Sequence, residues 1–354
     1  MKNAMQLKAI MKQLAKENQI SAQLVLQNYM LERFLERVSL SPYRDNYIIK
    51  GGFLISSMVG LNSRATMDMD ATIKGYPVTQ DAVQKMIEKI LTVSVDDDIT
   101  FTFKSIGEIR EGDEYTGYRV ALTADFPPMA VPLKLDITTG DKITPREIQY
   151  DYKLMLEDRH IQVMAYNLAT ILAEKLETVI SRSDQNTRPR DYYDVYILTK
   201  LQAENIDFPA LGAALMATAS KRGSDSILQD YRAIVEAVRN SEIMRRQWDN
   251  YRKDFDYAST ISFDEVCDAV ASTMPCWQTP NLWSCCDRPR TLTAWWSCTA
   301  CPSRSENTCC WPSPVRALSK WATALSLSTT PSPRILRLTN YSRLNPVKWS
   351  ESYE

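Results

Sequence analysis

Apolar residues recur at helical spacing at Leu7, Ile10, Met11 and Leu14. They do so again at Leu31, Phe34, Leu35 and Val38, behind Ser21, whose hydroxyl suits a helix N-cap. These stripes predict N-terminal helices within residues 1–45. A short extended piece, Tyr47 to Lys50, then meets Gly51-Gly52, and Phe53 to Leu61 follows with a helical pattern, giving strand, glycine turn and helix in succession. Asp68 to Ile73 is extended and Asp81 to Leu91 helical. Three alternating runs come next: Ile99, Phe101, Phe103; Tyr118, Val120, Leu122, Ala124; and Val131, Leu133, Leu135, Ile137. Residues 46–165 therefore form a mixed sheet domain. Beyond Tyr166 the alternation gives way to helical stripes such as Ile227, Tyr231, Ile234, Val235, Val238, then Ile243, Met244, Trp248, Tyr251. Residues 166–274 form a helical domain. The expected class is α+β, a mixed β-sheet with flanking helices plus a C-terminal helical bundle.

The patterning fails near residue 275. Seven of the eight cysteines and seven of the eight tryptophans lie after Met274, while the last glycine is Gly223. Residues 275–354 carry a charge of +5, which leaves −6 for the remainder of a chain of net charge −1. Pro, Ser, Thr, Trp and Cys dominate this tail without helical or alternating period, so it is expected to be disordered or aberrant. A zinc module is one reading, with Cys298 and Cys301 in C-x-x-C spacing and the pairs Cys285/Cys286 and Cys309/Cys310 flanking it. Adjacent cysteine pairs present two ligands to one ion poorly, and the single histidine is the distant His160. A shifted reading frame near codon 275 explains the abrupt change better.

The balanced charge excludes a globally basic chain that wraps nucleic acid, though not a local basic patch. The longest nearly uncharged run, Phe208 to Ser220, is too short to span a membrane. Lys2, Lys8, Lys12 and Lys16 interrupt the first stripe, so it is no signal peptide. A cytoplasmic protein without membrane attachment is expected.

Candidate chemistry sits in the sheet. Asp68 and Asp70 are two residues apart in an extended segment, so their carboxylates share a face while Met69 takes the other. Burying Val131, Leu133, Leu135 and Ile137 turns Lys134 and Asp136 outward, where a third carboxylate could join the first two. Three hard oxygen ligands of this kind suit Mg2+, and a pair of solvated surface acids is the plain alternative. Gly51-Gly52, at a strand-to-helix turn upstream, can offer backbone N–H groups to phosphate, or simply reverse the chain. Arg64, four residues before Asp68, can reach a phosphate oxygen or form a surface ion pair. Lys175 lies on the apolar stripe of Ile171, Leu172, Leu176 and Val179, where a lysine either snorkels or serves a site; Arg182 follows at i+7. Asp191 and Asp194 are i, i+3 neighbours after Pro189, equally suited to capping or ion pairing. His160 and the run Asp96-Asp97-Asp98 are expected to be structural or solvated.

Taken in order, Lys50-Gly51-Gly52-Phe53-Leu54, Arg64-Ala65-Thr66-Met67-Asp68-Met69-Asp70, Lys134-Leu135-Asp136-Ile137, Glu174-Lys175-Leu176 within Leu168 to Arg182, and Arg190-Asp191-Tyr192-Tyr193-Asp194 resemble successive motifs of a known family. They are similar to those of the AbiEii/AbiGii-type nucleotidyltransferase toxins, a branch of the polymerase-beta-like nucleotidyltransferase superfamily. The resemblance covers about residues 45 to 200 by motif. It implies that Asp68, Asp70 and Asp136 hold Mg2+, with Asp136 also helping to deprotonate the attacking hydroxyl. It further implies that Lys50, Gly51, Gly52, Arg64 and Arg182 bind nucleotide, and that Lys175 and Asp191 take part in catalysis. Many members carry Gly-Ser where this chain has Gly51-Gly52, which leaves Ser56 or Ser57 as candidate substitutes for the missing hydroxyl.

The implied activity is transfer of a nucleoside monophosphate from an NTP to an acceptor hydroxyl, at the 3' end of an RNA such as tRNA. The implied setting is an abortive-infection or toxin-antitoxin system in phage defence, with a cognate AbiEi-type winged-helix antitoxin as partner. A protein AMP-transferase would use the same motifs on another acceptor. An inactive binding remnant is the rival of a different class, prompted by the tail. If Lys175 serves the site, Lys175→Met is expected to abolish transfer with near-normal melting, since it keeps volume and apolar stem.

Overall fold

The computed structural model describes residues 3–109 and 117–274. The zinc and frameshift readings of the tail lie outside the described residues.

Two helices, α1 (Ala4–Asn18) and α2 (Ala22–Leu40), open the chain. Asn3 and Ser21 cap them by accepting the Gln6 and Leu24 amides at 2.9 and 3.2 Å. Strand β1 (Tyr47–Lys50) runs into α3 (Gly51–Val59), then β2 (Met69–Ile73) and α4 (Gln80–Leu91). The alternating runs become β3 (Thr100–Ile109), β4 (Gly117–Phe126) and β5 (Met129–Thr139). Two further strands, β6 (Ile148–Lys153) and β7 (His160–Ala165), complete one seven-stranded sheet of order β3-β4-β5-β2-β1-β7-β6. The pairs β2/β5 and β1/β7 are parallel and the others antiparallel.

The helical half comprises α5 (Leu168–Arg182), α6 (Pro189–Leu201), α7 (Phe208–Arg222), α8 (Asp225–Leu228), α9 (Tyr231–Asn240), α10 (Glu242–Asp254) and α11 (Phe263–Thr273). The stripe from Ile227 to Val238 is thus divided between α8 and α9. Side-chain caps recur at Asn167 and Asp207, and Ser262 with Glu265 forms a reciprocal capping box at the start of α11.

One cluster of buried residues runs from Ala4 to Met274 through both halves. Helix α2 packs across β5 and β7, and α4 against β3; Phe34 of α2 meets Tyr47 of β1 edge-on at 6.1 Å between ring centroids. Met69, Ala71 and Ile73 share the Tyr47 face by register, and the Tyr47 hydroxyl contacts the Met69 sulfur at 3.7 Å. Asp70 and Thr72 therefore belong to the opposite face. There α3 packs on β1 and β2 and meets α6, which joins the two halves at the glycine turn.

Helix α2 also buries charge. Arg37 forms a bidentate pair with Asp97, both contacts 2.8 Å, and donates to the Ile99 carbonyl. Of the two readings, structural or solvated, that the Asp96-Asp97-Asp98 run left open, its middle member takes the structural one. Asp97 is buried because a guanidinium on a packed helix supplies the partners that water would otherwise give. Glu32, Arg33 and Glu36 extend this network to Glu157 and Arg159 of the β6–β7 connection. His160 is the exposed first residue of β7.

Candidate active site

The strand-to-helix junction brings the first group of residues together. Gly51 has φ of +64°, a left-handed conformation that favours glycine, and a Cβ there would fall on the Asp70 carboxylate. Antiparallel register sets Lys50 beside Asp70, and parallel register sets Asp70 beside Asp136, so all three lie in one row on one face. Asp68 immediately precedes β2, two residues from Asp70. Burial and the negative charges of Asp136 and Asp70 hold its carboxyl above the ordinary aspartate value, against the lowering effect of Lys134 and Arg119. The three aspartates thus share one electrostatic neighbourhood.

Asp136 departs from its expected state. Both of its oxygens accept hydrogen bonds from Arg119 of the neighbouring strand, at 2.7 Å each. Among the described residues no three carboxylate, imidazole or thiol groups are arranged to hold a metal ion. Arg119 was invisible as a partner because cross-strand register, rather than sequence distance, brings it opposite Asp136.

A second group joins through buried ions. Arg64 is buried and donates from Nε to Asp194 Oδ1 at 2.6 Å; its Nη1 donates to the Ala65 carbonyl. Lys175 of α5 contacts Asp191 Oδ1 at 2.7 Å and Asp194 Oδ2 at 2.8 Å, with 18% of its side chain exposed. Burial alone would lower the Lys175 ammonium, but Asp194 and then Asp191 outweigh it and hold the pKa above the ordinary lysine value. Burial likewise would raise Asp194, which Arg64 and Lys175 keep below the usual carboxylate range. The row Arg64, Asp194, Lys175, Asp191 therefore ties the segment before β2 to α5 and α6. Its fully buried centre is Asp194, a residue that the sequence left equally suited to capping or ion pairing. The i, i+3 spacing was the available signal. One oxygen of Asp191, Oδ2, is buried without a hydrogen-bond partner.

Gly52 stands against this network, since a Cβ there would lie 3.0 Å from Arg64 Nη2 and 3.1 Å from Thr66 Oγ1. The hydroxyl beside Gly52 is thus that of Thr66. Ser57 donates to Leu54 of its own helix at 2.7 Å and meets the Tyr150 hydroxyl at 3.1 Å, and Ser56 is buried.

Two further candidate nucleotide contacts have surroundings of their own. Lys50 is buried, with Nζ donating to Thr138 Oγ1 at 2.7 Å and pairing with Asp141. Asp141, in contact with Thr138 at 2.7 Å and 3.6 Å from Lys221 of α7, is held well below the usual carboxylate range by Lys50 against the effect of burial. Arg182 lies exposed in the last turn of α5, lining a shallow surface depression with Ser181, Ser183, Asp184 and Gln185. Seven helical residues carry it roughly 10 Å along the axis from Lys175.

A sheet that converges carboxylates on a glycine turn, with a buried cation row behind it, defines a site built for phosphate and charge rather than for an apolar ligand. The family model "Nucleotidyl transferase AbiEii toxin, Type IV TA system" matches residues 33–269, and the chain belongs to that family. It is a nucleotidyltransferase, and membership implies an NTP substrate and an antitoxin partner. Among solved structures, a Helicobacter pylori protein described as a nucleotidyltransferase is similar at 15% identity and a TM-score of 0.41, covering 72% of this chain and 94% of its own. JHP933 from Helicobacter pylori is similar at 14% and 0.40, covering 72% and 91%. An antigenic nucleotidyltransferase-like protein from Paracoccidioides brasiliensis stands at 12% and 0.28, covering 77% and 96%. No curated protein matches the chain. Among the described residues no helix is long and apolar enough to cross a membrane.

Proposed function

We propose that the chain transfers a nucleoside monophosphate from an NTP to the 3' hydroxyl of an RNA, with loss of pyrophosphate, as a toxin held in check by its antitoxin. The observation that carries this reading is the row in which Gly51 leaves space for the Asp70 carboxylate, with Asp136 beside it. The N-terminus of α3 lacks a side-chain cap, so its amides are available to a phosphate. Thr66 offers a hydroxyl at Gly52, and Lys175, with two of its three ammonium donors engaged, keeps one for the triphosphate. Arg64 acts from behind this ridge, fixed by Asp194.

Two donors of the chemistry a divalent cation takes stand at the turn, and a third is engaged by Arg119. Asp68 and Asp70 are hard oxygen ligands of the kind that suits Mg2+, and the Asp70 carboxylate stands in the space left by Gly51. Asp136 would join them by exchanging Arg119, whose side chain is 49% exposed. When bound, Mg2+ would supply charge neutralisation of the phosphates and lower the pKa of the acceptor hydroxyl. Asp136, once released from Arg119, is the group proposed to accept the proton of that hydroxyl.

Incubation with each labelled nucleoside triphosphate and either total RNA or total protein tests the reading. Label in RNA, dependent on added Mg2+ and accompanied by pyrophosphate, is the expected outcome. Label confined to protein would replace the acceptor, and no transfer to either would leave a binding remnant. The cognate AbiEi-type antitoxin, cytoplasmic residence and a role in phage defence belong to the same proposal, supported by the family.

A further inference from the structure

The outer part of the sheet has an open face that runs into the aspartate row. Along β5, Ala130, Pro132 and Lys134 are exposed and precede Asp136 on one face, while Met129, Val131, Leu133 and Leu135 are buried on the other. Register carries that face across β4 through Arg119, Ala121, Thr123 and Asp125, and onto β3 through Thr102 and Ser105. No large apolar side chain interrupts it, because Phe101 and Phe103 share the opposite face with Ala124 and Leu122. The face carries small and polar residues and is about 10 Å wide across three strands.

Its charge is unequal in availability. Asp125 accepts from Thr102 at 3.1 Å, and Asp136 is engaged by Arg119. Lys134 and Lys104, the latter exposed at the β3 bulge between Phe103 and Ser105, form no ion pair among the described residues. Lys134 lies two residues from Asp136 on the same face of β5, so the cationic stretch begins at the proposed site itself.

We propose that this face is the acceptor track: the phosphate backbone of a single-stranded RNA end lies across β3, β4 and β5, held by Lys104 and Lys134, with its terminal hydroxyl at the aspartate row. The proposal rests on the nucleotide-transfer reading and names the acceptor surface for it. A face without exposed aromatic rings contacts phosphate rather than stacking bases, so recognition here tolerates sequence and falls with salt.

The test uses the full chain and a fluorescein-labelled single-stranded RNA of about twelve nucleotides, with binding measured against salt concentration. Lys104→Glu and Lys134→Glu are each expected to weaken binding about tenfold or more. Lys104→Ala and Lys134→Ala, with unchanged melting, should each reduce the slope of log affinity on log salt by about 0.7. Lys134→Arg should restore affinity. Lys85→Glu, on α4 at the far side of the sheet, should leave it unchanged. In transfer assays the charge reversals should raise KM for the RNA and leave KM for the NTP near wild type. Wild-type RNA affinity in both reversals, or an equal loss in Lys85→Glu, overturns the track while active transfer to RNA leaves the broader reading standing. Transfer to protein alone overturns both.

Discussion

At the scale of single residues, strand parity separates chemistry from packing. Met69 is fully buried among the apolar side chains beneath the sheet, whereas Asp70 meets the glycine turn and Asp68 stands immediately before the strand. Asp68→Ala or Asp70→Ala should cut nucleotide transfer at least about a hundredfold and relieve growth inhibition, with melting close to wild type. Met69→Leu should retain activity, at a cost of less than about 1.5 kcal/mol. A radiolabel transfer assay beside thermal melting checks all three. Lys175 behaves differently from what its stripe implied. Because it neutralises two buried carboxylates, Lys175→Met should lose both transfer and stability, by about 3 kcal/mol, rather than melt near normally. Denaturant titration decides between these outcomes, and wild-type transfer rates in Lys175→Met would return Lys175 to a structural role.

Elements show how backbone geometry holds these groups. The junction of β1 and α3 needs a left-handed residue at Gly51 and space for Asp70 in the same place. Gly51→Ala should therefore cost at least about 1 to 2 kcal/mol and abolish transfer, read by melting and by the labelled-nucleotide assay together. On the other face, α2 contributes a pH-dependent term. Burial pushes the Glu32 carboxyl up to about 7, although Arg33 and the Met155 amide act to lower it. An acid with a raised folded pKa keeps a proton that the unfolded chain releases, so its contribution is present below the unfolded value and is lost as pH rises to about 7. Stability of the wild type should fall between about pH 4.5 and 7 relative to Glu32→Gln, measured by urea unfolding across that range. Parallel curves for the two proteins would remove Glu32 as the source.

Over the whole molecule, one buried cluster extends through both halves and reaches Met274. The family match ends at residue 269, close to the break in composition. A tail without periodic patterning has no apolar face with which to offset the entropy of ordering some eighty residues, at about 1 to 2 kcal/mol each. Truncation after Met274 should leave melting and transfer unchanged, and limited proteolysis should cut first between about 270 and 285. Loss of a stoichiometric zinc ion on truncation, measured by atomic absorption, would instead make the tail cysteines a module.

Local pattern was enough for much of this protein, because helix and strand periods are written in neighbouring residues. The stripes of α1 and α2, the alternation of β3 to β5, the glycine turn and the opposite facing of Met69 and Asp70 were legible on that basis. Strands β6 and β7 carried the same signal in Ile148, Tyr150 and Tyr152 and in Ile161, Val163 and Ala165, though charged and polar residues between them obscured it. Partner identity was decided only by tertiary structure. Arg119 reaches Asp136 through strand register, Arg64 reaches Asp194 across 130 positions, and Lys50 pairs with Asp141. A charged side chain declares its type in the sequence, but which opposite charge compensates its burial depends on packing between elements, and that has no local period.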